Sequence, residues 1–380
     1  MSGFFFAPRV GWGPGALEQL SGLGAHAALV VVDPEVARRR GERRIVEELA
    51  KSETSVETVV AETPDRWTSV TALADRIGRS SADWIVAVGG GRTLDGAKAA
   101  RFAAELPEED LRALPPLREA PDPPRRRCVA VPTTSGSGAE VSWTVDLFGD
   151  DGAPFELAHR GILPEWALVD PALAEGLPVE PIVDGGFETL ALAAEAYLSA
   201  WSNPIGDALA IGTVATVLER LPHAVRWSED PEAREALHYA ATAAGLAAAN
   251  AQRGVAHALA RALVRPTGLP YGRLIGIALP YVLDFDRNGA RDRLERLAER
   301  VRPADAAGDV SLAERVRRLA DALRFPPTVR AAHGSVDTAL AELPAVVAAA
   351  RRSPATLGNP RVPTEDEVRA LVLRVLGTGA

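Results

Sequence analysis

Four short apolar runs in the first half of the chain limit the folds open to it, because each is closed by turn residues and followed by helical periodicity. The runs are AALVVVDP (Ala27 to Pro34), SVETVVAE (Ser55 to Glu62), DWIVAVGGG (Asp83 to Gly91) and RCVAVPTTSGSG (Arg127 to Gly138). Helical spacing fills the intervals, as in Val36 to Ala50 and Thr93 to Ala104. Strands alternating with helices predict a parallel α/β sheet. After WALVDPALAEGLP the pattern changes to Ala/Leu-rich helices, expected over residues 184–202, 204–220, 230–251, 254–265 and 272–283, with more towards the end. The fold class is therefore α/β, an N-terminal Rossmann-like domain over residues 1–172 followed by an all-helical domain over 173–380. A chain of 380 residues with 47% hydrophobic content can fill both cores. The Pro- and charge-rich stretch DLRALPPLREAPDPPRRR reads as a surface loop before a strand.

Charge and cysteine content narrow the function classes. A formal charge of −9 with no long Lys/Arg block argues against a nucleic-acid surface or a polybasic membrane anchor. The apolar run in MSGFFFAPRV is too short for a signal peptide, and no window has the length of a membrane span. The most hydrophobic stretch, Tyr239 to Leu263, carries Asn250, Gln252, Arg253 and His257, as a buried core helix would. The single cysteine, Cys128, sits in a strand run and reads as a buried thiol. A soluble, cytoplasmic protein acting on small molecules or proteins is expected, with homo-oligomerisation left open.

Two loops carry the first chemical signal. Gly89, Gly90 and Gly91 join a buried strand to a helix, where a glycine backbone can approach a pyrophosphate and the helix N-terminus offers unpaired N–H groups. A tight strand-to-helix turn would look the same. The second loop, VPTTSGSGAEV, again ends a strand with glycines and hydroxyls ahead of an expected helical segment, and Thr133, Thr134 and Ser137 can donate to a ribose, phosphate or amide oxygen. Ligands in open α/β sheets lie beyond the carboxyl ends of the strands, where both loops fall. Asp33 ends its own strand, placed to accept from a ribose and to repel a 2′-phosphate, which points to NAD over NADP. A cap on the helix starting at Pro34 is the competing role for Asp33.

These residues resemble the iron-containing, or group III, alcohol dehydrogenase superfamily, which also includes glycerol dehydrogenase and the metal-independent maleylacetate reductases. GGGRTLDGAK is similar to the family loop Gly-Gly-Gly-Ser-x-x-Asp-x-x-Lys, with Arg92 in place of serine, and PTTSGSGAE is similar to its second segment. LVDPALAEGLP, EAYLSAWSNP and NPRVPTEDEV have counterparts in the same order. The resemblance implies a cofactor domain in which Arg92, Asp95 and Lys98 join the nucleotide loops, a helical domain, and a cleft between them. In the family an Asp and a His one helical turn apart bind a metal together with two later histidines. The matching positions here are Glu188 and Leu192, then His257 and Tyr271, while Arg261 replaces a further histidine near the nicotinamide. Leucine cannot bind a metal, and two remaining donors are fewer than the three usual at catalytic zinc sites. No metal is expected.

A metal-free oxidation would need a base, a hydride acceptor and stabilisation of alkoxide charge. NAD supplies the acceptor. His257 is the expected base, with Tyr271 as relay or alternative base whose acidity a nearby guanidinium and helix dipole would raise. Arg261 would hold a substrate carboxylate, and Glu188 would orient His257 or pair with Arg261. A hydroxyl β to a carboxylate would use this set best, since its oxidation gives a β-keto acid that readily loses carbon dioxide. On that chemistry, rather than on a separating motif, the chain resembles the dehydrogenases of daptide-type ribosomal peptide pathways, which act on a C-terminal threonine. Such a role implies a small-molecule or peptide C-terminal substrate and a peptide-binding partner protein. A maleylacetate reductase-like keto-acid reductase and a non-catalytic NAD-binding scaffold are the alternatives.

Overall fold

The computed structural model describes every residue except 1–3, 117, 120–122, 228–229, 303–309 and 379–380, so the start of MSGFFFAPRV and part of the Pro-rich stretch lie outside the described residues. The chain divides into two compact units, Met1–Gly176 and Leu177–Ala380. The short turn Pro171–Ala174, which the expected boundary at 172/173 cuts, falls wholly within the first.

In the first unit the strands are β1 (Arg9–Trp12), β2 (Ala27–Val32), β3 (Ser55–Val60), β4 (Trp84–Gly89), β5 (Arg127–Pro132), β6 (Thr144–Phe148), β7 (Pro154–Ala158) and β8 (Trp166–Val169). Six of them form a parallel sheet in the order β1-β8-β5-β4-β2-β3. The apolar runs are nearly unbroken because both faces are covered. Leu29 and Val31 of β2 belong to one core, and Ala28, Val30 and Val32 to the other. From β2 the chain goes to β3 on one side and then to β4 on the other. The carboxyl ends of β2 and β4 thus meet at the point where the winding reverses, the usual place for a ligand in an open α/β sheet.

The helices are α1 (Pro34–Arg38), α2 (Arg43–Ala50), α3 (Trp67–Arg79) and α4 (Gly91–Glu105). The continuous helix expected from Val36 to Ala50 is broken, because Arg40 takes a φ of 55° in the turn before Arg43. The helical segment expected after Ser137 is also absent. A three-residue turn, Ala139–Val141, leads instead into the antiparallel hairpin β6–β7, whose Val145, Leu147 and Leu157 point into the core around a Gly-Asp-Asp-Gly turn.

The second unit contains α5 (Val179–Leu198), α6 (Pro204–Arg226), α7 (Pro231–Ala249), α8 (Val255–Thr267), α9 (Tyr271–Arg300), α10 (Leu312–Ala322), α11 (Val336–Ala341), α12 (Leu343–Arg352), α13 (Ala355–Gly358) and α14 (Glu365–Leu376), with no strand among its described residues. Alanine lets α5, α6 and α7 pack closely, around Ala191, Ala194, Ala210, Ala233 and Ala244. Two helices run beyond their expected ends. α6 continues through Pro222, and α9 continues past residue 283 to Arg300 with a kink at Ala290. Among the described residues, no helix is long and apolar enough to cross a membrane.

Candidate active site

In the first unit the glycine loop is shaped by what surrounds it. A Cβ on Gly89 would lie 2.8 Å from the Cβ atoms of both Asp33 and Thr93, and one on Gly91 would lie 2.6 Å from Ser137 Oγ. None of the three glycines has a positive φ, so at Gly89 and Gly91 space rather than backbone conformation requires glycine. Gly90 precedes α4 as its N-cap and provides no side-chain cap, so it gives the first N–H groups of this 15-residue helix no side-chain acceptor. The second loop lies alongside the first. The Thr133 amide donates to the Gly89 carbonyl at 3.0 Å, and Thr134 Oγ1 is 3.3 Å from the Cβ position of Gly90. Gly89 to Gly91, Thr133, Thr134 and Ser137 are therefore brought together at the ends of β4 and β5.

Other residues expected at the cofactor are engaged differently. The carboxylate of Asp33 accepts from the Glu35 amide at 2.8 Å and from Thr93 Oγ1 at 2.9 Å, so it caps α1 and ties β2 to α4. Arg92 forms two 2.7 Å hydrogen bonds to buried Asp65, whose part was not visible in the sequence. Asp95 and Lys98 need correcting. The Lys98 ammonium is fully buried, donates to the carbonyls of Ala139, Ser142 and Thr144 and lies 3.1 Å from Asp95, while Asp95 accepts from the Asp146 amide. This pair fastens α4 to the segment leading into β6. Three residues apart in α4, the two side chains share one helix face.

In the second unit the central contact is between Glu195 of α5 and the start of α8. Glu195 is buried and accepts from the Gly254 amide at 2.8 Å, from the Ala256 amide at 2.6 Å and from His257 Nδ1. A carboxylate at a helix N-terminus meets both the unpaired amides and the positive end of the dipole. Because a carboxylate accepts, the Nδ1 of His257 carries the hydrogen in this bond, and in the neutral ring Nε2 then has the lone pair. That Nε2 is buried and has no hydrogen-bond partner among the described residues. The His257 ring meets that of Tyr271 edge-on, with centroids 6.2 Å apart, and the Tyr271 hydroxyl is likewise buried without a partner.

His257 Nδ1 is oriented by Glu195, two helical turns after Glu188 on the same helix. Glu195 stands in the quoted motif EAYLSAWSNP, and its spacing of seven from Glu188 and three from Leu192 was the available signal. Tyr271 is not made more acidic. Burial raises its pKa, while Arg261 and then Arg253 oppose the rise and Glu188 and Glu195 add to it. Tyr271 therefore stays protonated and can donate a hydrogen bond, but it is a poor base. Four charged side chains act on this one hydroxyl, and Arg253 was not singled out in the sequence. Arg261, one turn after His257, is itself buried.

Residues 7–171 match the family described as iron-containing alcohol dehydrogenase, and residues 182–376 match the C-terminal part of the same family. The chain belongs to the iron-containing alcohol dehydrogenase family. It is 30% identical to an alcohol dehydrogenase of Thermococcus barophilus over 98% of this chain and 99% of that one. It is also 30% identical to the NADPH-dependent butanol dehydrogenase of Clostridium saccharobutylicum, over 86% of each. The solved structure of an iron-containing alcohol dehydrogenase from Thermococcus thioreducens superposes with a TM-score of 0.88 at 26% identity, covering 98% of this chain and 99% of that one. This family member is thus an alcohol dehydrogenase-like oxidoreductase.

The ion in the family's name does not fit the donors present. Of the four matching positions, Leu192 is apolar and buried in the α5 core, and Tyr271 is held protonated by burial. His257 keeps Nε2 as a donor while its Nδ1 bonds Glu195, so with Glu188 two donors remain, fewer than the three usual at catalytic zinc sites. Among the described residues no three His, Cys, Asp or Glu side chains are grouped to hold a metal.

The Glu195–His257 contact generates a direct expectation. Glu195→Gln keeps one acceptor where two backbone amides and an imidazole need a carboxylate, so kcat should fall about 10²–10⁴-fold. NADH affinity, measured by fluorescence titration, should stay as in the wild type. Full turnover in a folded Glu195→Gln protein would show that His257 needs no such partner.

Proposed function

We propose that this family member is an NAD-dependent, metal-independent dehydrogenase that oxidises the hydroxyl of a hydroxy-carboxylate. The observation that carries the proposal is His257, with Nδ1 held by Glu195, Nε2 buried without a hydrogen-bond partner among the described residues, and its ring edge-on to that of Tyr271. The glycine-lined, uncapped start of α4 and the hydroxyls of the second loop fit a dinucleotide pyrophosphate. When bound, the nicotinamide dinucleotide supplies the hydride acceptor.

The chain's own residues then divide the remaining work. His257 Nε2 takes the proton of the substrate hydroxyl, and the Glu195 carboxylate stabilises the imidazolium that results. The protonated Tyr271 donates a hydrogen bond to the oxygen as negative charge develops on it. Arg261 offers a planar fork for the substrate carboxylate. What supports the metal-free reading is donor chemistry: Leu192 cannot ligate, and a permanent guanidinium cation stands where the family resemblance places a histidine.

With the hydroxyl β to the carboxylate, oxidation leaves a β-keto acid. Loss of carbon dioxide from it, with uptake of one proton at the α-carbon, gives a ketone. A peptide ending in threonine carries this arrangement, which supports a place in daptide-type ribosomal peptide biosynthesis beside a peptide-binding partner. The reverse reaction, reduction of a keto acid, would use the same groups with the proton delivered from His257.

Two measurements test this reading. Asp33, a carboxylate at the end of β2, should make NADH bind roughly tenfold more tightly than NADPH. Equal affinities in fluorescence titration would leave Asp33 with its capping role alone. For the substrate, a screen of β-hydroxy acids and threonine-ended peptides should follow NADH formation and carbon dioxide release. Arg261→Lys should lower kcat/KM for the acidic substrate by roughly thirty- to a thousandfold, because one ammonium cannot reproduce a two-point fork. A substrate without a carboxylate, or an Arg261→Lys protein as efficient as the wild type, would remove the anion clamp. Nucleotide binding with no turnover of any candidate would favour the scaffold role.

A further inference from the structure

We propose that Asn359, held in place by Asp286, is a positioning residue for the Glu195–His257 pair. Asn359 directly follows α13, far from α8 in sequence. It is buried, as is Asp286 of α9. Its Oδ1 accepts from the Val255 amide at 3.3 Å, while its Nδ2 donates to Asp286 Oδ1 at 2.6 Å and to the Arg361 carbonyl at 3.0 Å. The amide orientation is fixed by this set, since the Val255 amide only donates and the Arg361 carbonyl only accepts.

Three consecutive amides at the start of α8 are therefore held by two side chains. Glu195 takes Gly254 and Ala256, and Asn359 takes Val255 between them. The two acceptors converge on Gly254. A Cβ there would lie 2.8 Å from Glu195 Oε1 and 2.9 Å from Asn359 Oδ1, so this position has no room for a side chain.

The same turn braces the chain just before the histidine. Gln252, two residues before Gly254, has a φ of 119°, a strained value for a residue with a side chain. It is packed against Gly358, where a Cβ would lie 2.6 Å from Gln252 Cγ. The Gly358 carbonyl also accepts from the Ala200 amide at 2.9 Å, just past the end of the helix that carries Glu195. Residues 358–359 thus tie the end of α5 to the start of α8, the two elements whose separation sets the Glu195–His257 hydrogen bond. Electrostatics agree with this proximity. Burial raises the Asp286 carboxyl to about 7, the Asn359 hydrogen bond opposes the rise, and the charge of Glu195 adds to it.

The inference rests on the reading of His257 as base, and the test separates the two. Protein carrying isotope-labelled histidine reports by NMR the tautomer of His257, assigned among six histidines by comparison with His257→Gln. In the wild type the hydrogen should reside on Nδ1. In Asn359→Ala the His257 signals should shift towards a mixture of tautomers, and kcat should fall about 10–100-fold, as for groups that orient an active histidine. KM and NADH affinity should change little. Asp286→Ala should act in the same direction, and Asp286→Asn, which keeps an acceptor for Asn359 Nδ2, should recover most of the loss. Asn359→Ala with wild-type histidine signals would overturn the proposal, whether turnover is intact or falls only with the folded fraction. A shifted tautomer in Asn359→Ala sustains it even if His257→Gln stays active, in which case only the reading of His257 as base falls.

Discussion

The second unit is organised by one carboxylate, Glu195, that accepts from two backbone amides and an imidazole at once. Without those partners a buried carboxylate would be strongly disfavoured, and without the carboxylate the first amides of α8 would lose their acceptor. The cap and the histidine contact are thus one interaction. It decides which nitrogen of His257 carries the hydrogen, and so which nitrogen can accept a proton. Leu192, one turn before Glu195 on the same helix, is packed into the core beside it. An apolar residue there gives stability to α5 and cannot ligate a metal.

The nucleotide unit follows a different constraint. Its glycines are dictated by the close approach of Asp33, Thr93 and Ser137, which brings the ends of β2, β4 and β5 together. A phosphate-binding loop needs the same absence of side chains for its ligand, so a glycine run kept for packing also suits the dinucleotide proposed for this unit. Lys98 illustrates how packing can take over a residue of a binding motif. With three carbonyls and a carboxylate around its ammonium, it holds the second loop in register.

Legibility in the sequence tracked how local each cause was. The strands β2, β3, β4 and β5 were visible because sheet burial on both faces leaves an apolar run bounded by turns. β1 and β8 are four residues each, too short to stand out, and the turn Ala139–Val141 into the β6–β7 hairpin stands where a helical segment is expected. α9 was expected to end near 283, where charged residues begin, but its later half packs Leu294 and Leu297 into the core. At the site, the glycine loops, His257, Arg261 and Tyr271 could be placed by motif. Glu195, Asp65 and Asn359 could not be given roles, because each acts on a partner at least 27 residues away. The acidity expected for Tyr271 also failed for a reason no motif carries, since its hydroxyl is buried.

The central claim is that the Glu195–His257 pair takes the place of a metal ion as the group that removes the hydroxyl proton. Elemental analysis of the purified protein, paired with NADH-forming activity before and after chelation, tests it most directly. The expected result is substoichiometric iron and zinc, with activity that neither falls on chelation nor rises on adding divalent ions. Stoichiometric metal, with activity lost on stripping and restored on addition, would contradict it.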